Sequence, residues 1–214
     1  VGGTGNTALG TSALQANIGG VNNVALGYAS LYENQGGNRN VAAGEASLYS
    51  NVSGNDNVAN GDAALRSNTV GNFNVAVGSS ALYQSDSGSQ NVAIGNSALF
   101  YTNTGSNNTA IGSNAGPTPG NGGVTNTIAI GYNAGVTKSN QVVIGNASTT
   151  ETLLTGDVLP RTTGLYDLGS TTKHFRNLFV DTLQTGNSIS FFSDFIPHIP
   201  CGPVRNNPDR IYGF

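Results

Sequence analysis

Two histidines, one cysteine and a few scattered carboxylates are the residues here whose types could carry chemistry. His174 and His198 have no carboxylate or nucleophile at a readable spacing, and an acid–base or nucleophilic site needs such a partner within hydrogen-bond reach. His198 and Cys201 lie three residues apart. On a threefold axis they could supply three imidazoles and three thiolates, good transition-metal ligands. A lone His and Cys in a proline-rich tail are more simply unliganded, so neither a metal nor any other cofactor is expected. The acids Glu33, Glu45, Asp56, Asp62 and Asp86 form no ladder. Glu45 and Asp62 could pair as carboxylates do in glycosidases, where the separation is roughly 5–9.5 Å. Solvated acids in turns are the plainer account. No phosphate loop or calcium nonapeptide is present, and no enzymatic activity is expected.

The aromatics are better organised. Tyr32, Tyr49, Tyr83 and Phe100 share one column with Gln15 and Arg66, each seventeen residues after the last. A period of this kind decides the fold before any motif does. Asn recurs at 6, 23, 40, 57, 74, 91 and 108, Ala two places later, and Gly four places later. Leu14, Leu31, Leu48, Leu65, Leu82 and Leu99 hold the ninth place of the repeat, and Gly20 through Gly105 hold the fifteenth. The consensus is N-[VT]-A-x-G-x-x-[AS]-L-x-x-N-x-x-G-x-x.

Each copy has the makings of one coil. In Asn91-Val92-Ala93-Ile94-Gly95, Val92 and Ile94 point one way and Ala93 the other. This predicts a short strand, with Gly95 permitting the turn that follows. Residues 97–100 are expected to form a second short extended piece, and 102–105 a turn back to the start. Seventeen residues are too few for a helical repeat, which runs from about 33 upward. A parallel β-solenoid fits, its coils stacked about 4.8 Å apart. Such stacking makes the tenth column an aromatic ladder. It could bind sugars, or it could cover the outer sheet or pack against another subunit, since aromatics supply much buried area. A strand apolar on both faces reads as buried on both, which predicts that three chains pack around an axis. Asn60, where other rows have Leu9, Leu26, Val77, Ile94 and Ile111, is expected either to form a polar layer near that axis or to face the coil interior and bond the backbone.

The rows "NVALG", "NVAVG", "NVAIG" and "NTAIG", each followed by a small-small-Leu turn, resemble the head repeats of trimeric autotransporter adhesins, the YadA-like head. Similar repeats occur in bacteriophage tail fibres. The resemblance covers residues 1–146 and implies a homotrimer of left-handed parallel β-rolls. The repeat here is longer than the common adhesin form. Its spacing changes near the end, with nineteen residues from Gly112 to Gly131 and fourteen from Gly131 to Gly145, around a loop "GPTPGNGG" at 116–123.

Residues 147–184 break the period and are expected to form a connecting β segment. Asp167, Leu168, Gly169, Ser170, Phe175 and Leu178-Phe179-Val180 resemble a segment near the C-terminal end of phage tail fibres, with Phe175 where the familiar form often has Trp. Residues 185–214 carry Phe191, Phe192, Phe195, Ile196, Ile199 and Tyr212 among four prolines. They are expected to form an irregular trimeric cap whose exposed loops contact a receptor. The start at Val1-Gly2-Gly3 fits the end of a repeat, so the parent chain is expected to continue upstream.

Composition agrees with a fibre. Charged residues are 9% of the chain, against roughly 25% in ordinary globular domains. The net charge is −3 with no basic stripe, which excludes nucleic acid as an expected partner. No apolar run approaches the roughly 18 residues of a membrane helix. The expectation is therefore a structural and adhesive homotrimer, a virion tail fibre acting outside the cell in host attachment. Its partners would be other fibre or virion proteins and a host-surface glycan or protein, met through Tyr32, Tyr49, Tyr83 and Phe100 or through Phe191, Phe192, Phe195 and Tyr212. The alternative is the head of an adhesin on a bacterial surface, and a glycan-degrading solenoid enzyme is the remote third.

Overall fold

The computed structural model describes residues 3–159 and 161. The chain divides into two compact units, Val1–Leu153 and Leu154–Phe214. The first holds every strand described below. The described residues of the second form no strand or helix.

Nine three-residue strands, one per coil, lie side by side in chain order. They are β1 (Thr7–Leu9), β2 (Val24–Leu26), β3 (Val41–Ala43), β4 (Val58–Asn60), β5 (Val75–Val77), β6 (Val92–Ile94), β7 (Thr109–Ile111), β9 (Ile128–Ile130) and β11 (Val142–Ile144). Every pairing is parallel and sets equivalent repeat positions opposite each other, as in Val75↔Val92, Ala76↔Ala93 and Val77↔Ile94. The 19- and 14-residue coils keep the same register, with Ala110↔Ala129 and Ala129↔Val143. The protein is thus a parallel β-solenoid of about 17 residues per coil, as the period predicts.

The expected second strand at 97–100 does not form. That stretch is a turn in which Ser97 (φ 54°) and Leu99 (φ 52°) are left-handed. The pattern recurs on every full rung, with Leu31, Leu48, Leu65 and Leu82 at φ between 49° and 53°. A left-handed L-residue costs roughly 1–2 kcal/mol. Burial of these leucines, all at 0% exposure, offsets it with about 1.5–3 kcal/mol each. Where glycine takes over the ninth place, at Gly116 and Gly135, the chain straightens into β8 (Gly116–Pro117) and β10 (Gly135–Val136), which pair in parallel.

The interior is half apolar and half amide. The strand alanines from Ala25 to Ala129 are fully buried beside the leucine column. Across from them run two buried ladders. In the first column each backbone N–H donates to the side-chain oxygen one rung earlier, as Asn40 to Asn23 (2.9 Å) and Asn57 to Asn40 (3.0 Å). Its amide nitrogen closes the turn, as Asn40 Nδ2 to Gly54 O (2.8 Å). In the twelfth column amide donates to amide, as Asn51 to Asn34 (2.7 Å). A third ladder, nearer solvent, runs the opposite way: Asn38 N–H donates to Asn55 Oδ1 (3.0 Å) and Asn55 N–H to Asn72 Oδ1 (2.9 Å). The coil is too tight at the fifteenth place for any side chain. A Cβ on Gly54 would lie 2.4 Å from both Asn51 Oδ1 and Gly71 O.

Candidate functional site

Stacking turns the tenth column into a continuous array. The rings of Tyr32 and Tyr49 lie 5.0 Å apart and 11° from parallel, and those of Tyr83 and Phe100 lie 5.2 Å apart and 10° from parallel. Arg66 bridges the two pairs. Its guanidinium carbon sits 5.3 Å from the Tyr49 ring centre and 5.7 Å from that of Tyr83, and Nη1 donates to Tyr83 Oη at 3.3 Å. Each cation–π contact of this kind contributes about 0.5–1 kcal/mol. All five side chains are half-buried, so much of each face is spent on its neighbours in the column. The sequence-predicted ladder residues Tyr32, Tyr49, Tyr83 and Phe100 are therefore brought together.

The ladder ends at a groove of about 520 Å³. Phe100, Tyr101, Pro117 and Pro119 supply its apolar lining, and Ser97, Asn114, Thr118 and Asn133 its polar lining. Tyr101 meets Phe100 edge-on at 5.1 Å and is 39% exposed. Asn114 and Asn133 occupy the same repeat position on successive rungs, since the Asn114 N–H bonds Asn96 and the Asn133 N–H bonds Ser113 in the same manner (2.9 and 3.0 Å). No Asp, Glu, Lys, Arg or His lines the groove. Tyr101, Asn114, Pro117, Pro119 and Asn133 were not singled out by sequence reasoning. The signal that marks the place is the break of period at 116–123.

The outer face of the nine-stranded sheet is the other candidate surface. The second and fourth places of each repeat point away from the coil, and Leu26, Val41, Val58, Val77, Ile94, Ile111, Ile128 and Ile130 are each between 37% and 42% exposed. Asn60 lies on this face with Val58, both exposed on either side of the buried Ala59. The expectation that Asn60 faces the coil interior is thus corrected. Residues i and i+2 of a strand share a face, and Ala59 takes the interior.

Glu45 and Asp62 stand exposed on successive rungs. Among the described residues no group of three His, Cys, Asp or Glu side chains could hold a metal, and no helix is long and apolar enough to cross a membrane. The best-defined charged contact is a fork between Arg39 and Asp56 on adjacent rungs, at 2.6 and 2.8 Å. The hydrogen bond from Arg39 holds the Asp56 carboxyl below its ordinary value, and the same bond raises the guanidinium. His174, His198, Cys201, Phe191, Phe192, Phe195 and Tyr212 lie outside the described residues.

No protein-family model matches the chain, and no curated protein matches it significantly.

Proposed function

We propose that this chain is a module of a homotrimeric extracellular fibre that attaches to a host surface, most simply a viral tail fibre. The observation that carries the reading is the apolar stripe on the sheet. Two columns, mostly Val, Ile and Leu but interrupted by Thr7, Ala43, Asn60 and Thr109, run along the nine strands and stay partly exposed. Contiguous exposed apolar surface of this extent marks an interaction site. A second and third copy in the same rung register offer a matching stripe, and closed rotational symmetry uses it without leaving a free face. The resemblance of the repeats to YadA-like heads supports the number three. The D-L-G-S segment at 167–170, which resembles phage fibres, favours the viral form over a bacterial adhesin head.

In this reading the rungs provide length and stiffness, and adhesion falls where the repeat is broken. The groove beside Phe100 and Tyr101 joins aromatic surface to two amides and two hydroxyls without a charge. That chemistry suits a neutral glycan, whose apolar ring faces rest on aromatics while its hydroxyls bond amides. Sedimentation should show a particle of about 65 kDa, three times the 21.7 kDa chain. A well-folded monomer would overturn the fibre. A glycan array probed with the native protein and Tyr101→Ala tests the adhesive half. Loss of neutral-glycan signal in an intact trimer is expected. Signal retained by the variant moves recognition away from the groove.

A further inference from the structure

Among the described residues three buried side-chain oxygens have no hydrogen-bond partner: Asn68 Oδ1, Ser85 Oγ and Thr102 Oγ1. All three residues are fully buried and occupy the twelfth place on successive rungs. Unpaired polar atoms in such places call for an account.

The rungs before them show what is expected there. Asn34 donates to Asn17 Oδ1 (2.7 Å) and to Gly37 O (3.0 Å). Asn51 donates to Asn34 Oδ1 (2.7 Å) and Gly54 O (3.0 Å). Asn68 donates to Asn51 Oδ1 (2.9 Å) and Gly71 O (3.0 Å). Each amide NH₂ thus ties its rung to the one before and also braces its own turn. At residue 85 the amide becomes a hydroxyl too short for either task. Gly88 O still accepts from Asn74 (2.8 Å) and Gly105 O from Asn91 (2.9 Å), but neither receives the second donor that Gly37, Gly54 and Gly71 have.

The packing also loosens where the amide would be. A Cβ built on Gly20, Gly37 or Gly54 would fall 2.3, 2.3 or 2.7 Å from the Nδ2 of the next rung's asparagine. A Cβ built on Gly71 would meet no atom of Ser85 within 3.0 Å. Exchanging asparagine for serine removes an amide group, room of the order of one water, whose share of liquid volume is about 30 Å³.

We propose that two buried waters stand in for the missing amides and carry the ladder through rungs 74–107. The first donates to Asn68 Oδ1 and Gly88 O and accepts from the Ser85 hydroxyl. The second donates to Ser85 Oγ and Gly105 O and accepts from the Thr102 hydroxyl. Each water then has three polar partners, the usual number for a buried one, and every orphaned oxygen is paired. The solenoid interior carries a built hydration site at one defined place, independent of what its outer surfaces bind.

A crystal structure of the whole protein, at a resolution that shows ordered solvent along the rungs, tests this directly. Two peaks are expected, one between Asn68 and Ser85 and one between Ser85 and Thr102. In Ser85→Asn the new Nδ2 should replace the first peak and leave the second. Water ¹⁷O relaxation dispersion should then count one fewer long-lived water per chain. A native map empty between Asn68 and Ser85 overturns the proposal, as does a first peak unchanged in the variant. If Ser85→Asn fails to fold, the native map decides alone.

Discussion

Rungs 17–73 and rungs 74–107 share a backbone but are held together differently. In the earlier rungs the twelfth place is asparagine, at Asn17, Asn34, Asn51 and Asn68, and so is the sixteenth after Val21, at Asn38, Asn55 and Asn72. In the later rungs both become hydroxyls, Ser85 with Thr102 and Ser89 with Ser106. The two columns respond differently. In the sixteenth, Asn72 N–H finds Ser89 Oγ at 3.0 Å and Ser89 N–H finds Ser106 Oγ at 3.0 Å, so the ladder goes on. In the twelfth, three oxygens are left unpaired. The sixteenth-place amides also bond across a rung, Asn38 Nδ2 to Asn55 Oδ1 and Asn55 Nδ2 to Asn72 Oδ1, but these groups are part-buried and water can replace them. A hydroxyl accepts the backbone N–H there as well as an amide does. The twelfth place must accept and donate across a whole rung, which only the amide can do.

The sharpest way to break this contrast is to carry the later rungs' choice into the earlier ones. Asn51→Ser removes the bonds to Asn34 Oδ1 and Gly54 O and leaves Asn68 Nδ2 without its acceptor at Asn51. Buried unsatisfied groups cost about 1–3 kcal/mol, and a loss of about 2 kcal/mol is expected in denaturant unfolding. A loss below about 0.5 kcal/mol would place the twelfth column on the same footing as the sixteenth.

How much of this was legible beforehand follows from what a period can report. Seventeen-residue spacing identified the strand, the opposite facing of its alanine and its Val or Ile, and the stacking of Tyr32 on Tyr49, but not which of the two faces turns inward. Those features depend only on alternation and on register. The left-handed leucines were not legible, because Leu99 in "SALF" looks like any apolar residue of an extended segment. Only the closing geometry of the coil shows that φ must be positive there. The groove was half legible. The loop at 116–123 breaks the period visibly, yet the pairing of Asn114 with Asn133 depends on the nineteen-residue coil folding back into register.

The seventeenth place offers a gain rather than a loss. It is left-handed throughout: Asn22 (φ 57°), Asn107 (φ 60°), Asn126 (φ 54°) and Asn140 (φ 58°) hold it at four rungs and Arg39, Asp56 and Gln90 (φ 56–60°) at three, and Phe73 adopts φ 57° where the two regions meet. Asparagine tolerates this conformation far better than a bulky residue does. Phe73 is 59% exposed, so little burial is lost in Phe73→Asn. A stabilisation of about 1 kcal/mol is expected from the relieved backbone, measured as a higher denaturant midpoint. An unchanged midpoint would mean that packing of the Phe73 ring offsets the strain of its backbone.

Asn55→Ser should do less. The serine oxygen can still accept Asn38 N–H, as Ser89 accepts Asn72 N–H, and the two amide bonds that are lost, to the carbonyl of exposed Ser53 and to part-buried Asn72 Oδ1, lie where water can replace them. A cost near 0.5 kcal/mol is expected. A cost equal to that of Asn51→Ser would show that the two columns do not differ in what their amides contribute.

The smallest effect is the only one among these that depends on pH. Asp56 is held below its ordinary value chiefly by the hydrogen bond from Arg39, with their Coulomb attraction adding to it. A carboxylate lowered on folding stabilises the protein above its unfolded value, near 3.9, and that contribution disappears as pH falls through the folded value. Arg39 stays charged throughout. The pair is solvated, with Arg39 58% exposed, so salt screens it and its contribution is slight. Melting curves of the native chain and Asp56→Asn should differ a little at neutral pH and begin to draw together as pH falls below about 4. The buried ladders contain only Asn, Ser and Thr at the first and twelfth places, none of which titrates there. The penalty of Asn51→Ser should therefore stay constant across the same range. A penalty that shrank in acid would tie the amide ladder to a carboxylate, and the separation drawn between the solvated rim and the polar interior would fail.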